Sequence, residues 1–203
     1  MQIKKAHVKD NIIKTSRKLF MTQGYNKVTM KSIADSSGVS VSNIYTYFKS
    51  KTELFDAVVA EGYEALERFR QKHTTEIVWT NQDSWTIQSE ANRYQELINL
   101  FYDHRSVFII LIVKSKGSKH ENFYENLIQE IIQRKQYVVE ASQKRGLLLL
   151  KKPFPNHLIE TYVRSFMIKI VNEFKRELPK CELQEQIYEL TELFFIGFKG
   201  YRA

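Results

Sequence analysis

The chain has 203 residues, 43% of them apolar, with 7 Gly, 3 Pro and one cysteine. So little Gly and Pro disfavours a turn-rich sheet protein and suits an all-α one, while the lone Cys181 excludes an intrachain disulfide and cysteine-based metal clusters. The net charge of +8 sits entirely in the first quarter. Residues 1–52 hold ten Lys/Arg against two Asp/Glu, and the rest hold 21 of each, which points to a polyanionic partner.

In chain order, apolar residues at Val8, Ile12, Ile13, Leu19, Phe20 and Met21 predict a first amphipathic helix stopped by Gly24. Thr29 can cap a short second helix with Ile33 and Ala34 inward, and Asp35-Ser36-Ser37-Gly38 is a turn signal. Ser40 can cap a third helix over about 41–48. Ser50-Lys51-Thr52-Glu53 fits a capping box opening a fourth. Three helices within ~50 residues, the last two joined by a short turn, form the helix-turn-helix pattern. Residues 74–89, with Trp79 and Trp85, read as a helix end and loop. Helices follow over about 90–104, 121–145, 156–178 and 182–201. The run Val107 to Val113 is β-branched, but no second strand lies nearby to pair with it, so it reads as a buried helix. At seven residues it is far short of the ~20 a membrane span needs. The first 20 residues carry six Lys/Arg and no long apolar run, unlike a secretory signal. A soluble cytoplasmic protein is expected.

On the third helix, Ile44 and Phe48 point to the core, with Val41 and Tyr45 on the flank. Ser42, Asn43, Thr46 and Tyr47 point away. Small residues at the helix start allow close approach to base edges, and Val41 can touch a thymine methyl. Tyrosine hydroxyls and the Lys49 and Lys51 ammonium groups suit phosphates. Thr29 opens the second helix, whose free amides favour a phosphate, with Lys31 one turn inside. Each residue has a plainer alternative: Tyr45 packing, Ser40 a cap, Gly38 a turn, Lys49 a solvated charge.

Taken together, Thr29-x-x-x-Ile33-Ala34 and Gly38-Val39-Ser40-x-Ser42-x-Ile44-Tyr45-x-Tyr47-Phe48-x-Ser50-Lys51-x-x-Leu54 resemble the N-terminal signature of TetR-type (tetracycline-repressor-like) regulators. Phe20 and Gly24-Tyr25 match as well, and the resemblance covers about residues 8–58. It implies an all-α chain of about nine helices. A DNA-binding domain would occupy 1–52, and a helical ligand-binding and dimerisation domain 53–203. The chain would be a repressor, binding operator DNA as a homodimer and released by a small effector. The resemblance implies base contacts from Lys31, Val41, Ser42 and Tyr45, and phosphate contacts from Thr29, Asn43, Tyr47 and Lys51. Ser42 stands where glycine is frequent and Asn43 where threonine or alanine is, so the operator sequence does not carry over.

The C-terminal half has no comparable motif. Val163, Phe166, Met167, Ile170, Val171 and Phe174 form one apolar face; Ile187, Leu190, Phe194 and Phe198 form another. Such helices from two chains would make a four-helix seam, the alternative being packing within one chain. Phe101, Tyr102, Phe108, Phe123, Tyr124, Tyr137 and Tyr162 are candidate ligand-lining residues, the alternative being plain core. The five histidines show no metal-ligand spacing. Neither a Glu-x-x-His set nor a nucleophile beside a base is present, so no metal, cofactor or enzymatic activity is expected. An adaptor that no longer reads DNA is a third reading, opposed by the intact basic head.

Overall fold

The structure is a computed structural model, all-helical in its described residues 2–75, 87–146, 154–176, 179–199 and 201. Nine α-helices lie within them: α1 Gln2–Gln23, α2 Met30–Ser37, α3 Val41–Tyr45, α4 Lys51–Thr75, α5 Ile87–Asp103, α6 Arg105–Ile109, α7 Phe123–Lys144, α8 Asn156–Lys175 and α9 Lys180–Lys199. The expected all-α class is therefore correct. The β-branched run is the helix expected of it, α6, continued by a π-helical turn Ile110–Lys114. Trp79, Trp85 and the Pro153 break lie outside the described residues. No described helix is long and apolar enough to cross a membrane.

Local chemistry sets the early boundaries. Gly24 takes φ +80 after α1, and its amide donates to the Phe20 carbonyl at 2.9 Å. Thr29 Oγ1 accepts from the Ser32 amide and Ser32 Oγ from the Thr29 amide, both at 3.0 Å, a reciprocal box built with serine instead of glutamate. Gly38, at φ 70, ends α2 in the left-handed region, where a Cβ would be strained. Ser50 caps α4 by accepting from the Glu53 amide at 3.1 Å. The expected return bond is displaced by one residue: the Glu53 carboxylate accepts from the Lys49 amide at 2.6 Å.

The chain divides into two compact units, Met1–Glu67 with His104–Tyr124, and Arg68–Asp103 with Glu125–Ala203. The first thus extends past residue 52, because α6 and its π-turn pack with α1. The Tyr25 amide donates to the Lys114 carbonyl at 2.8 Å. Phe55 centres this core, with ring centroids 5.0 Å from Phe20 and 4.9 Å from Tyr25, both edge-on. Gly62 lets α4 meet α6 closely, since a Cβ there would stand 2.6 Å from Val107 Cγ1.

In the second unit, α8 buries Ile159, Tyr162, Val163, Phe166, Met167 and Ile170. Tyr94 of α5 meets Phe166 at 4.1 Å and Phe194 of α9 stacks on Tyr162 at 3.9 Å. This moves the apolar surface available to a second chain. Val163, Phe166, Met167, Ile170 and Ile187, expected at a seam, are at most 2% exposed inside one chain. Tyr94 of α5 and Phe194 of α9 cover part of the α8 face. Ile168, Tyr188, Leu193 and Ile196 are exposed instead. Leu190 and Phe194 are half-buried along a groove of about 320 Å³ shared with Leu193 and Gly197. The side chains of Phe174 and Phe198 lie outside the described part.

Arg164 of α8 grips Glu125 of α7 at 2.8 and 3.1 Å. That contact, then Gln129, holds the Glu125 carboxyl down to about 2. A carboxylate depressed in the folded state contributes stability that is present above its unfolded pKa and lost as pH falls through the folded one. Glu125 is half exposed, so the contribution is small. The urea midpoint of the wild type should exceed that of Glu125→Gln slightly at pH 6, and the gap should shrink between about pH 4.5 and 2. A gap that widens on acidification would sink this assignment.

Candidate nucleic-acid interface

The helix pair α2–α3 is pinned from one side and open on the other. Ile33, Ala34, Ile44 and Phe48 are buried. The small Ala34 carries the carbonyl on which the turn closes, accepting the Val39 amide at 3.2 Å. Ser40 Oγ accepts from the Asn43 amide at 3.1 Å, fixing the start of α3. Helix α3 proper ends at Tyr45, shorter than the 41–48 expected, and amides 47 and 48 close on the Ile44 carbonyl.

The sequence-predicted residues divide clearly. Thr29, Lys31, Ser40, Ser42, Tyr45 and Lys49 are exposed, while Val41, Asn43 and Tyr47 are half-buried. Tyr45 is 50% exposed, so its flank position leaves half the ring available to a partner. Ser42 Oγ lies 3.0 Å from Ser40 Oγ. Both hydroxyls therefore sit at the tip of α3, one capping it and one facing outward. Thr46, exposed beside them, gives its hydroxyl to the Asn43 carbonyl at 2.6 Å. At the start of α2, the amides of Met30 and Lys31 have no acceptor within the helix.

Lys51 stands differently. Its ammonium donates to the carbonyls of Tyr25 and Val28 at 3.0 and 3.1 Å and lies 4.1 Å over the Tyr25 ring. Burial there lowers its pKa. Tyr25 in turn bonds Thr52 through its hydroxyl at 3.0 Å. Tyr25 thereby ties the α1–α2 turn to α4 and to the π-turn, a junction that sequence reasoning registered only as part of a motif. The signal was the aromatic after Gly24, followed 26 residues on by Lys51. Two further contacts hold α1 against the pair: Asn11 Nδ2 donates to the Ser37 carbonyl at 2.9 Å, and Lys9 stands 5.7 Å from the Phe48 ring centre.

Such an arrangement presents short polar side chains and a tyrosine on a fixed helix tip, surrounded by lysines. It can approach base edges and phosphates together. The model of bacterial regulatory proteins of the tetR family matches residues 12–58, the segment just described. That segment is of the tetR family, and the chain that carries it is a DNA-binding, helix-turn-helix regulator of transcription. Over its whole length it is similar to YhgD, an uncharacterized HTH-type transcriptional regulator of Bacillus subtilis, at 26% identity over 95% of each chain. Its fold matches a TetR-like regulator from Rhodococcus sp. RHA1 at a TM-score of 0.64, with 14% identity over 94% of this chain and 96% of that one. NalD, the secondary repressor of the MexAB-OprM multidrug efflux pump in Pseudomonas aeruginosa, matches at a TM-score of 0.59, with 17% identity over 95% of each chain.

The chain also holds a partly open cavity of about 100 Å³ in its second unit. Phe69, Leu97, Ile131, Val138 and Phe194 supply apolar wall, while Arg93, Arg134 and Lys135 supply charge. The aromatic residues expected to line a ligand site are elsewhere. Phe108 and Phe123 pack together in the first unit, with Tyr63 against Phe123. Phe101 is buried, Tyr137 is 61% exposed, and Tyr102 and Tyr124 are half-buried. Tyr162 lines the α8–α9 groove. On α7, Arg134 and Lys135 stand between Ile131 and Val138, and all four line the cavity. Among the described residues, no three His, Cys, Asp or Glu side chains gather as metal ligands would.

Proposed function

We propose that this protein is a cytoplasmic repressor that binds double-stranded operator DNA as a homodimer and leaves it when a small effector occupies the second unit. One observation carries the DNA reading: the exposed face of α3 holds Ser42, Tyr45 and Thr46, on the segment that contains all of the chain's excess positive charge. Thr29, Lys31, Val41, Asn43, Tyr47 and Lys49 complete the contact set. Lys51 acts chiefly by holding the α1–α2 turn, and a phosphate would have to draw its ammonium from the Tyr25 and Val28 carbonyls. NalD, named as a repressor, supports the direction of control. No catalytic role or cofactor is part of this reading. In a dimer, the two α3 helices would read half-sites about one DNA turn apart, ~34 Å.

The test is fluorescence anisotropy on DNA upstream of the protein's own gene, across a salt series. Binding should resist random competitor DNA and fall steeply with salt, as phosphate contacts release counterions. Tyr45→Ala and Ser42→Ala should each weaken operator binding by about tenfold or change the preferred base, worth ~1–3 kcal/mol per contact. Since both side chains are exposed, stability should move by no more than about 0.5 kcal/mol. Equal affinity for operator and random DNA, unmoved by either change, would refute the reading.

A further inference from the structure

We infer that the loop between the π-turn and α7 forms, with the α1–α2 turn, a second phosphate-binding surface, on which Lys27 and Lys116 engage the DNA backbone just outside the bases read by α3. The inference rests on the DNA reading above and adds a flank to the footprint.

Residues 114–120 read Lys-Ser-Lys-Gly-Ser-Lys-His, with no acid among them. The charge balance hides them, because the chain beyond residue 52 is neutral as a whole. The fold returns them to the basic head, within the same compact unit. The Lys114 carbonyl accepts the Tyr25 amide at 2.8 Å. A Cβ on Gly117 would overlap the Asn26 carboxamide, so the loop backbone presses on the α1–α2 turn. Asn26 precedes Thr29 by three residues, a span of at most ~11 Å. The loop therefore stands beside the start of α2.

Its own bonds set which side chains face out. Ser115 Oγ donates to the Leu111 carbonyl at 2.7 Å, the Ser118 amide to the Ser115 carbonyl at 2.9 Å and the His120 amide to Ser118 Oγ at 3.0 Å. Both serines are buried. Lys116 between them is exposed, as is Lys27 in the turn itself, and Lys114 is half-buried beside Gly24. The acids of this region are engaged. Asp56 takes Lys119 Nζ and His120 Nε2 at 2.8 Å each, and Glu121 accepts from the Gly117 amide at 3.0 Å. Among the described residues no carboxylate comes within ion-pair distance of Lys27, Lys114 or Lys116.

A run of lysines is ordinarily a solvated face, and placement argues otherwise here. Each strand of duplex DNA carries a phosphate every ~3.4 Å of axis. Phosphates thus continue past the bases that α3 covers. Cations seated on the turn that opens α2 meet the next ones along the strand.

Fluorescence anisotropy of the full-length protein tests this on two duplexes from the DNA upstream of its own gene. One extends a helical turn beyond the bases whose substitution alters binding; the other is trimmed to them. Lys27→Gln/Lys116→Gln should weaken binding to the long duplex by about tenfold or more at about 50 mM salt, and flatten the salt slope by about one for each lysine lost from the complex. The preference for operator over random DNA should stay, since phosphates carry no sequence. Trimming should weaken the wild type and leave the variant nearly unmoved. Lys27→Arg/Lys116→Arg should keep the wild-type slope. If the glutamine pair fails to fold by circular dichroism, Lys116→Gln alone takes its place. An unchanged slope, which an acidic protein partner would give, or an equal loss on both duplexes, which a structural role would give, overturns the inference. The slope also separates the two readings. Operator preference with an unmoved slope defeats only this inference. A wild type without operator preference, whose slope on random DNA still exceeds that of the variant, defeats the repressor reading and leaves the surface standing.

Discussion

Phe55→Ala is expected to destabilise the protein by about 3–5 kcal/mol, the usual range for removing a large ring from a sealed core. The position is wholly buried and is among the largest fully buried side chains. The ring touches Phe20 of α1, Tyr25 of the α1–α2 turn and His120 before α7. Three segments distant in sequence thus converge on one side chain. Edge-to-face aromatic pairs add about 0.5–1.5 kcal/mol beyond area burial, so the loss should lie in the upper part of the range. The cavity would open beneath Tyr25, which carries the Lys51 and Thr52 contacts. Amide exchange in α1, α2 and the start of α4 should therefore accelerate even where the variant stays folded. Urea unfolding followed by circular dichroism measures the loss. A change below about 1 kcal/mol, with exchange unaltered, would show that the ring is not the centre of this unit.

The expectation is sharp because the parts of this unit were readable beforehand. Thr29, Gly38 and Ser40 stand where local chemistry alone decides a boundary: a hydroxyl accepting a first-turn amide, or a backbone position that only glycine adopts cheaply. Ile44 and Phe48, four apart, needed only helical periodicity. What failed to show in sequence depends on distant partners. Nothing near Lys51 reveals that its ammonium would settle on carbonyls at 25 and 28. Extension of the first unit to His104–Tyr124 depends on the π-turn reaching Tyr25. The faces of α8 and α9 are apolar on more than one side, and periodicity does not say which side the chain's own helices will cover. Val163, Phe166 and Ile170 were therefore assigned to a partner chain but are buried within one chain, while Ile168 and Leu193 are exposed. The cavity of the second unit was not anticipated for a related reason. Aromatic residues drew the assignment, yet the cavity is distinguished by the arginines and lysine that its apolar walls hold.

The outward set on α8 and α9 gives the second large effect. Leu193 and Ile196 are 67% and 58% exposed, and Ile168 of α8 is 53% exposed. If the three share one surface, apolar residues of this size mark an interaction face more often than a solvated one. Burying each fully would contribute about 1.5–3 kcal/mol. A two-fold contact uses every residue twice, against an association cost of ~4–15 kcal/mol. The sum can favour a dimer only if most of the set is covered. Leu193→Asp with Ile196→Asp would place four carboxylates in such a contact, so the self-complementary surface would repel itself. The chain mass is 24.1 kDa. Light scattering should find twice that for the wild type and the single value for the double variant. Because both side chains are exposed in one chain, thermal unfolding at low concentration should change little. Operator affinity should drop by ~100-fold or more, since the second head would no longer be tethered to the first. The order of events separates this from a damaged head: at concentrations high enough to saturate single half-sites, the variant should still prefer operator to random DNA. A wild type that is monomeric at micromolar concentration would refute the homodimer, and a double variant that stays dimeric would send the search for its interface back to the groove beside Tyr162.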